Sequence, residues 1–277
     1  MRFGIREVAN VTFRTLAALT IGSQTFGVGE PVLYFESLKA STLTGSANTV
    51  FATGGRGANK LIGWDGDKEV VFTIEDALIS QESFAILSGA DLIEYDGSAS
   101  KAKEHKKELL QLDADQKVFI QAVILESNVD YPVFIYVSNA SGEIGEKSTD
   151  ASFTGNVAGT PFLDFSASAS PAIAIGDWVI VDYYFESTNV VKSLVVKTDS
   201  FGGYFKIEGD SLWRRELDGV DLPAYLTIPR AKIRTNFEFS MTPDGDPSTF
   251  TFELDAFPAT VSGVGINILF LLDVEEI

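Results

Sequence analysis

Gly54-Gly55-Arg56-Gly57 sets a cation among consecutive glycines, the composition of a loop whose backbone amides could approach a phosphate. The spacing argues otherwise. A phosphate loop needs GxxxxGK[ST] opening a helix, and a dinucleotide fingerprint needs GxGxxG followed by one, whereas a strand pattern follows here. Arg56, with its planar bidentate head, is better suited to reaching a partner carboxylate from an interface loop, with Gly54, Gly55, Gly57, Asn59 and Lys60 around it. Three carboxylate pairs could serve as acid and base in glycoside hydrolysis: Glu75 with Asp76, Asp182 with Glu186, and Glu253 with Asp255. Among 39 acidic residues such pairs arise freely, and the last two read as wet strand surface. Asp65-Gly66-Asp67 and Asp244-Gly245-Asp246 fall short of the D-x-[DN]-x-[DN]-G calcium pattern and read as turns. His105, the one histidine, sits among Lys101, Lys103, Lys106 and Lys107 and reads as a solvated residue on a basic helix face. With no cysteine, thiolate nucleophiles, disulfides and thiolate zinc sites are excluded. No catalytic residue, cofactor site or metal site is expected.

The elements that carry these residues are mostly strands. In residues 48–90 a strand, a glycine-rich extension, a second strand and a short helix follow one another. In the second strand Val70, Phe72 and Ile74 alternate with Glu69, Val71, Thr73 and Glu75, the period of a half-buried strand. Ser80 is placed to cap the helix, Glu82 suits its first turn, and Gly89 can close it in the left-handed conformation. Residues 7–16, 117–126 and 132–138 also read as strands. A hairpin is expected where Ile233, Thr235, Phe237, Phe239 and Met241 face Phe250, Phe252, Leu254 and Ala256 across the turn Pro243-Asp244-Gly245-Asp246-Pro247. Ile266 to Leu272 reads as a buried closing strand. Trp64 and Trp213 follow loops and are candidate interface anchors, while Trp178 begins a strand and should pack within its own domain.

From about Gly142 to Ser170 the sequence turns to small residues, and strand character resumes at Asp177. The expected organisation is a core from residues 1–112 and 201–277 with a β-rich insertion at 113–200. A net charge of -18 disfavours gripping nucleic acid over a large surface. No stretch approaches the roughly 20 apolar residues that span a bilayer, and the charged start MRFGIREVANVTF is unlike a secretory signal, so no membrane partner and synthesis in a cytoplasm-like compartment are expected.

The segments GIREVANVTF, GEPVLYFESLKASTLTG, ATGGRGANKLIGWDGDKEVVFTIEDALISQESFAILSGA, DSFGGYFKIEGDSLWRRE and TIPRAKIRTNFEFSMTPDGDPSTFTFELDAF resemble virion structural proteins of tailed bacteriophages, of the tail tube type. The resemblance covers roughly the first 95 and last 80 residues. It implies a mainly β fold, a sandwich or barrel flanked by a short helix and a long hairpin, that builds stacked hexameric rings around a DNA ejection channel in the virion tail. The partners it implies are further copies of the chain, with a sheath or other tail proteins outside and DNA passing through unbound. Residues 52–68 would reach a neighbouring subunit or ring. A capsid decoration or baseplate protein is the alternative, and a carbohydrate-binding or carbohydrate-cleaving β protein a more distant one.

Overall fold

The computed structural model describes residues 2–5, 9–78, 80–125, 130–148, 152–155, 159–166, 170–234 and 249–275. Its elements are, in chain order, β1 (Phe3–Ile5), β2 (Asn10–Thr15), β3 (Leu19–Ile21), β4 (Gln24–Phe26), β5 (Pro31–Phe35), β6 (Leu38–Gly54), β7 (Asn59–Asp76), α1 (Gln81–Ser88) and β8 (Asp91–Tyr95). Next come β9 (Lys103–Gln111), β10 (Lys117–Phe119), β11 (Phe134–Ser138), β12 (Lys147–Ser148), β13 (Ser152–Gly155), β14 (Phe162–Asp164), β15 (Trp178–Glu186) and β16 (Val191–Val195). The chain ends with β17 (Tyr204–Arg215), β18 (Asp221–Ile233), β19 (Phe250–Ala256), β20 (Ala259–Val261), β21 (Gly265–Ile268) and β22 (Leu271–Val274). The mainly β class expected from sequence is what folds. The strands form open sheets of antiparallel pairs rather than a closed barrel. Contacts divide the chain into two compact units, Met1–Ile93 with Leu194–Ile277, and Glu94–Ser193.

The first unit is built on a nine-stranded sheet ordered β5-β2-β17-β18-β19-β7-β6, with β1 added beside β17 and β22 beside β18. Period-two patterning makes one face of this sheet apolar. Val11 and Phe13, Phe72 and Ile74, Phe205 and Ile207, and Phe252 and Leu254 are all buried in one cluster. Phe13 meets Phe35 and Phe205 edge-on at 5.5 and 5.9 Å, a geometry the ring quadrupole favours. Helix α1 contributes Ile86 and Leu87 to the same cluster. Ser80 caps it as expected, its Oγ accepting from the Ser83 backbone N–H at 2.9 Å, and Gly89 ends it at φ 72°. Two glycines set the helix seat: a Cβ on Gly89 would lie 2.3 Å from the Phe201 carbonyl carbon, and one on Gly202 would lie 2.7 Å from the Leu87 oxygen. Any side chain there would push the backbones apart.

The second unit packs the sheet β12-β11-β15-β9 against the sheet β10-β14-β13. Val118 and Leu163 from one sheet share a core with Ile135, Val179, Val181 and Tyr183 from the other. Within that core Glu108 Oε1 accepts from the Tyr183 hydroxyl at 2.5 Å and from the Gln121 N–H at 3.0 Å, which gives a buried polar side chain two donors. Burial, and then the bond to Glu108, push the Tyr183 hydroxyl well above its ordinary pKa. β9 belongs to this unit because it pairs along its whole length with β15.

Three sequence expectations need correction. The basic run around His105 is strand β9, not a helix: Lys103, His105 and Lys107 are exposed on one face while Glu108 is buried on the other, and pairing with β15 overrides the helical propensity of Lys and Glu. The buried closing strand is instead two short strands, β21 and β22, and Ile266 is 72 % exposed. Strand character over 117–126 is realised only at β10, with Ile124 bridging Phe185 alone. The expected hairpin of residues 233–256 closes at its base, where Lys232 faces Asp255 and Ile233 faces Leu254. Its turn at Pro243–Pro247, with Asp244 and Asp246, lies outside the described residues, as do Val8, Thr235, Phe237, Phe239 and Met241.

Candidate assembly surface

β6 and β7 form one antiparallel ladder from Leu38–Asp76 to Gly54–Asn59. At its base Val70, Phe72, Ile74 and Asp76 are buried, whereas every residue from Asn59 to Glu69 is exposed. Beyond Gly45 the hairpin therefore leaves its own core and runs for about ten residues, roughly 30 Å at strand rise. The register shifts between Ser46 and Asn48, opposite Asp67, whose φ of 48° marks a bulge, and again between Ala52 and Thr53. The tip is the four-residue loop Gly55-Arg56-Gly57-Ala58, with positive φ at Gly55, Gly57 and Ala58 and the Ala58 N–H donating to the Gly55 oxygen at 3.3 Å. The glycines thus serve a tight reversal.

Cross-strand pairing sorts the arm into two faces. Val50 opposite Trp64 and Ala52 opposite Ile62 share one face. Phe51, opposite Gly63, lies on the other. There the Lys60 ammonium lies 3.8 Å from the Phe51 ring centroid, and Thr49 Oγ1 donates to Asp65 Oδ1 at 2.6 Å. Gly63 makes room for the Phe51 ring, since a Cβ there would lie 3.0 Å from it. Val50 is 62 % exposed, Leu61 65 % and Trp64 56 %. Apolar side chains this exposed and contiguous mark a surface to be covered. Between Asn48 and Trp64 the only charged residues are Arg56 and Lys60, and Arg56 has no carboxylate partner among the described residues.

The structure brings Gly54, Gly55, Arg56, Gly57, Asn59, Lys60 and Trp64 together on this arm. Trp64 lies within β7 rather than after a loop. Trp213 lies elsewhere, half-buried in β17 with its ring 6.2 Å from Phe3 of β1. Beside it Arg214 chelates Asp221 through two 2.6 Å bonds and Arg215 pairs with Asp218. Val50, Phe51, Leu61 and Ile62 escaped the sequence reading. Their signal is present in TVFA and KLIGW, apolar alternation interrupted by glycine, but alternation alone does not show whether anything covers it.

The carboxylate pairs are tied into other work. Asp76 is buried and accepts from Ser37 Oγ at 2.9 Å and the Leu78 N–H at 3.2 Å, while Glu75 points to the other face. Asp182 meets His105 Nε2 at 2.9 Å and Glu186 meets Lys101 at 3.5 Å. Glu253 and Asp255 together hold Arg234, at 2.7 and 2.8 Å, and those bonds raise the guanidinium pKa further. Arg14 and Lys206 both bond Glu208, at 2.6 and 2.5 Å. Among the described residues no group of three or more His, Cys, Asp or Glu is placed to hold a metal ion, and no helix is long and apolar enough to cross a membrane.

No curated protein matches the chain. A family model described as the YomU/Tube protein family matches residues 3–268, nearly the whole sequence, in agreement with the tail tube resemblance read from the residues. The chain belongs to the YomU/Tube protein family.

Proposed function

We propose that this chain is a non-enzymatic tail tube subunit that assembles through its β6–β7 arm and open sheet edges into stacked hexameric rings enclosing the DNA ejection channel. Membership of the YomU/Tube family supports a phage tail tube structural protein, and hence a virion component. The observation that carries the assembly reading is the arm, a long hairpin whose Val50, Leu61, Ile62 and Trp64 are exposed among the described residues. Arg56 at its apex and Trp64 on its flank are the contacts it offers a neighbouring copy, and Trp213 offers a second. The unit Glu94–Ser193 then stands as an addition to the tube core, available to a sheath or other tail proteins.

The electrostatics suit passage of DNA rather than capture. On the wet face of the nine-stranded sheet Arg14 and Lys206 share Glu208, and Arg234 lies between Glu253 and Asp255, so that three cations are set against three carboxylates. Cations already paired hold phosphate poorly, and a net charge of -18 repels it. Electron microscopy of the purified chain and of virions tests the reading. Rings or tubes with a regular axial repeat are expected. A monomer under all conditions, or a position on the head surface or tail tip, would overturn it.

A further inference from the structure

The arm needs a landing place on a neighbouring copy, and the strand β22 offers one in the same unit. β18 pairs with β19 only from Ala231 to Ile233; toward its start it pairs with β22 instead, from Ala224–Val274 to Thr227–Leu271. The second edge of β22 has no strand partner among the described residues. Register lines up Asp210 of β17, Tyr225 of β18 and Asp273 of β22 on one face. Glu275, whose N–H donates to the Pro223 oxygen at 3.0 Å, lies two residues beyond Asp273 and extends that face. All four are exposed, and the three carboxylates pair with no cation among the described residues. On the opposite face of β22 Leu272 is 42 % exposed. This edge is thus acidic on one side and apolar on the other.

The arm carries the complement. Past its base β7 pairs with β6 alone among the described residues, so its other edge is open as well. Lys60 and Phe51 share one face of the arm, with Arg56 at its apex, while Val50, Ile62 and Trp64 share the other. Neither Arg56 nor Lys60 has a carboxylate partner among the described residues. We infer that the free edge of β7 in one copy adds to the free edge of β22 in a second copy, with Lys60 and Arg56 beside Asp273 and Glu275, and with the apolar face of the arm beside Leu272. The inference rests on the assembly reading above and names the partner surface for it. Charge selects the pairing. Two arms brought together would set cations against cations, and two β22 edges carboxylates against carboxylates, so the contact left to identical copies is arm to edge. Because every copy carries both halves, such a head-to-tail contact propagates, either closing into a ring or continuing as a helix. Ion pairs this exposed add little strength and chiefly fix register, while strand pairing and apolar cover hold the contact.

Charge reversal in the full chain tests the inference, with self-association read by sedimentation and rings scored separately by electron microscopy. The arm variant Arg56→Glu/Lys60→Glu and the edge variant Asp273→Lys/Glu275→Lys should each associate about tenfold more weakly than the wild type. Mixed in equal amounts they should return to within about threefold of it, because the acidic arm of one then meets the basic edge of the other. Only a contact between copies is rescued by mixing. All four positions are exposed, and thermal unfolding of each variant checks that folding is intact. Should a double variant misfold, Arg56→Glu and Asp273→Lys, mixed in the same way, keep the test open. Unchanged association in the edge variant, as expected if β22 serves a different protein, or no rescue on mixing would overturn the inference. Rings formed alike by every variant would overturn it and leave the tube reading standing. Association rescued by mixing that yields neither rings nor tubes would overturn the tube reading alone.

Discussion

The two halves of the β6–β7 hairpin share one continuous ladder and differ in what holds them. Near the base Val70, Phe72 and Ile74 enter the main core. Past the bulge at Asp67 the same two strands carry Val50, Leu61, Ile62 and Trp64 into solvent. At the base β7 is paired on both edges, with β6 and with β19, whereas in the arm β6 is its one strand partner among the described residues, so the halves differ in backbone pairing as well as in side-chain burial. A two-stranded ribbon is marginal in water, and the outer half stands because the inner half is anchored. Residues in the base should therefore govern folding and residues in the arm should govern association.

Substitutions along this hairpin and the core beneath it can break or sharpen that division. Phe72→Ala, at the base, should cost about 3–5 kcal/mol through lost burial and the cavity left behind, read as a lower midpoint in chemical denaturation. Ser80→Ala, which removes the cap of the helix seated on the same core, should cost about 1 kcal/mol by the same measurement. Glu208→Gln probes the wet face. Burial opposes ionisation of Glu208, but the bonds from Lys206 and Arg14 outweigh it and hold the carboxyl below its ordinary value. A depressed carboxyl stabilises the fold above its unfolded pKa, roughly 4.3, and the contribution is lost as pH falls through the folded value. With Glu208 a third exposed and screened, Glu208→Gln should cost about 0.5–1 kcal/mol at neutral pH, and its gap from wild type should close in acid.

The smallest stability effect belongs to the arm. Removing residues 54–59, or replacing Trp64 with Ser, should leave unfolding unchanged within about 0.5 kcal/mol while abolishing rings in electron micrographs. Equal losses of stability and assembly would end the distinction between base and arm.

Much of this was legible in the residues. The alternation in β7, the Ser80 and Gly89 caps, and the base of the β18–β19 hairpin follow from local rules that tertiary packing does not override. Other features depended on partners distant in sequence. His105 reads as helical by propensity and becomes strand only because β15, more than 70 residues on, supplies the matching ladder. Ile266 is apolar in a run of apolar residues, and only the fold reveals that it is exposed. The glycine-rich stretch reads as a loop and is one, but the flanking Val50, Phe51, Leu61 and Ile62 do not stand out in the sequence, because an apolar residue in a strand is the same letter whether it faces a core or solvent.

β6 is the last strand of its sheet, and of its 17 residues only Lys39 is charged. Two such chains approaching in dilute buffer first meet the repulsion of their net charges of -18 each, which acts over about 8 Å at physiological ionic strength and farther in less salt. Only inside that distance does the uncharged edge present its row of amides and carbonyls. In the proposed assembly the free subunit would thus be held apart at long range and captured at short range, so the lag before polymerisation should shorten steeply as salt is added, while a finished polymer joined by this edge and the apolar arm should scarcely respond to it.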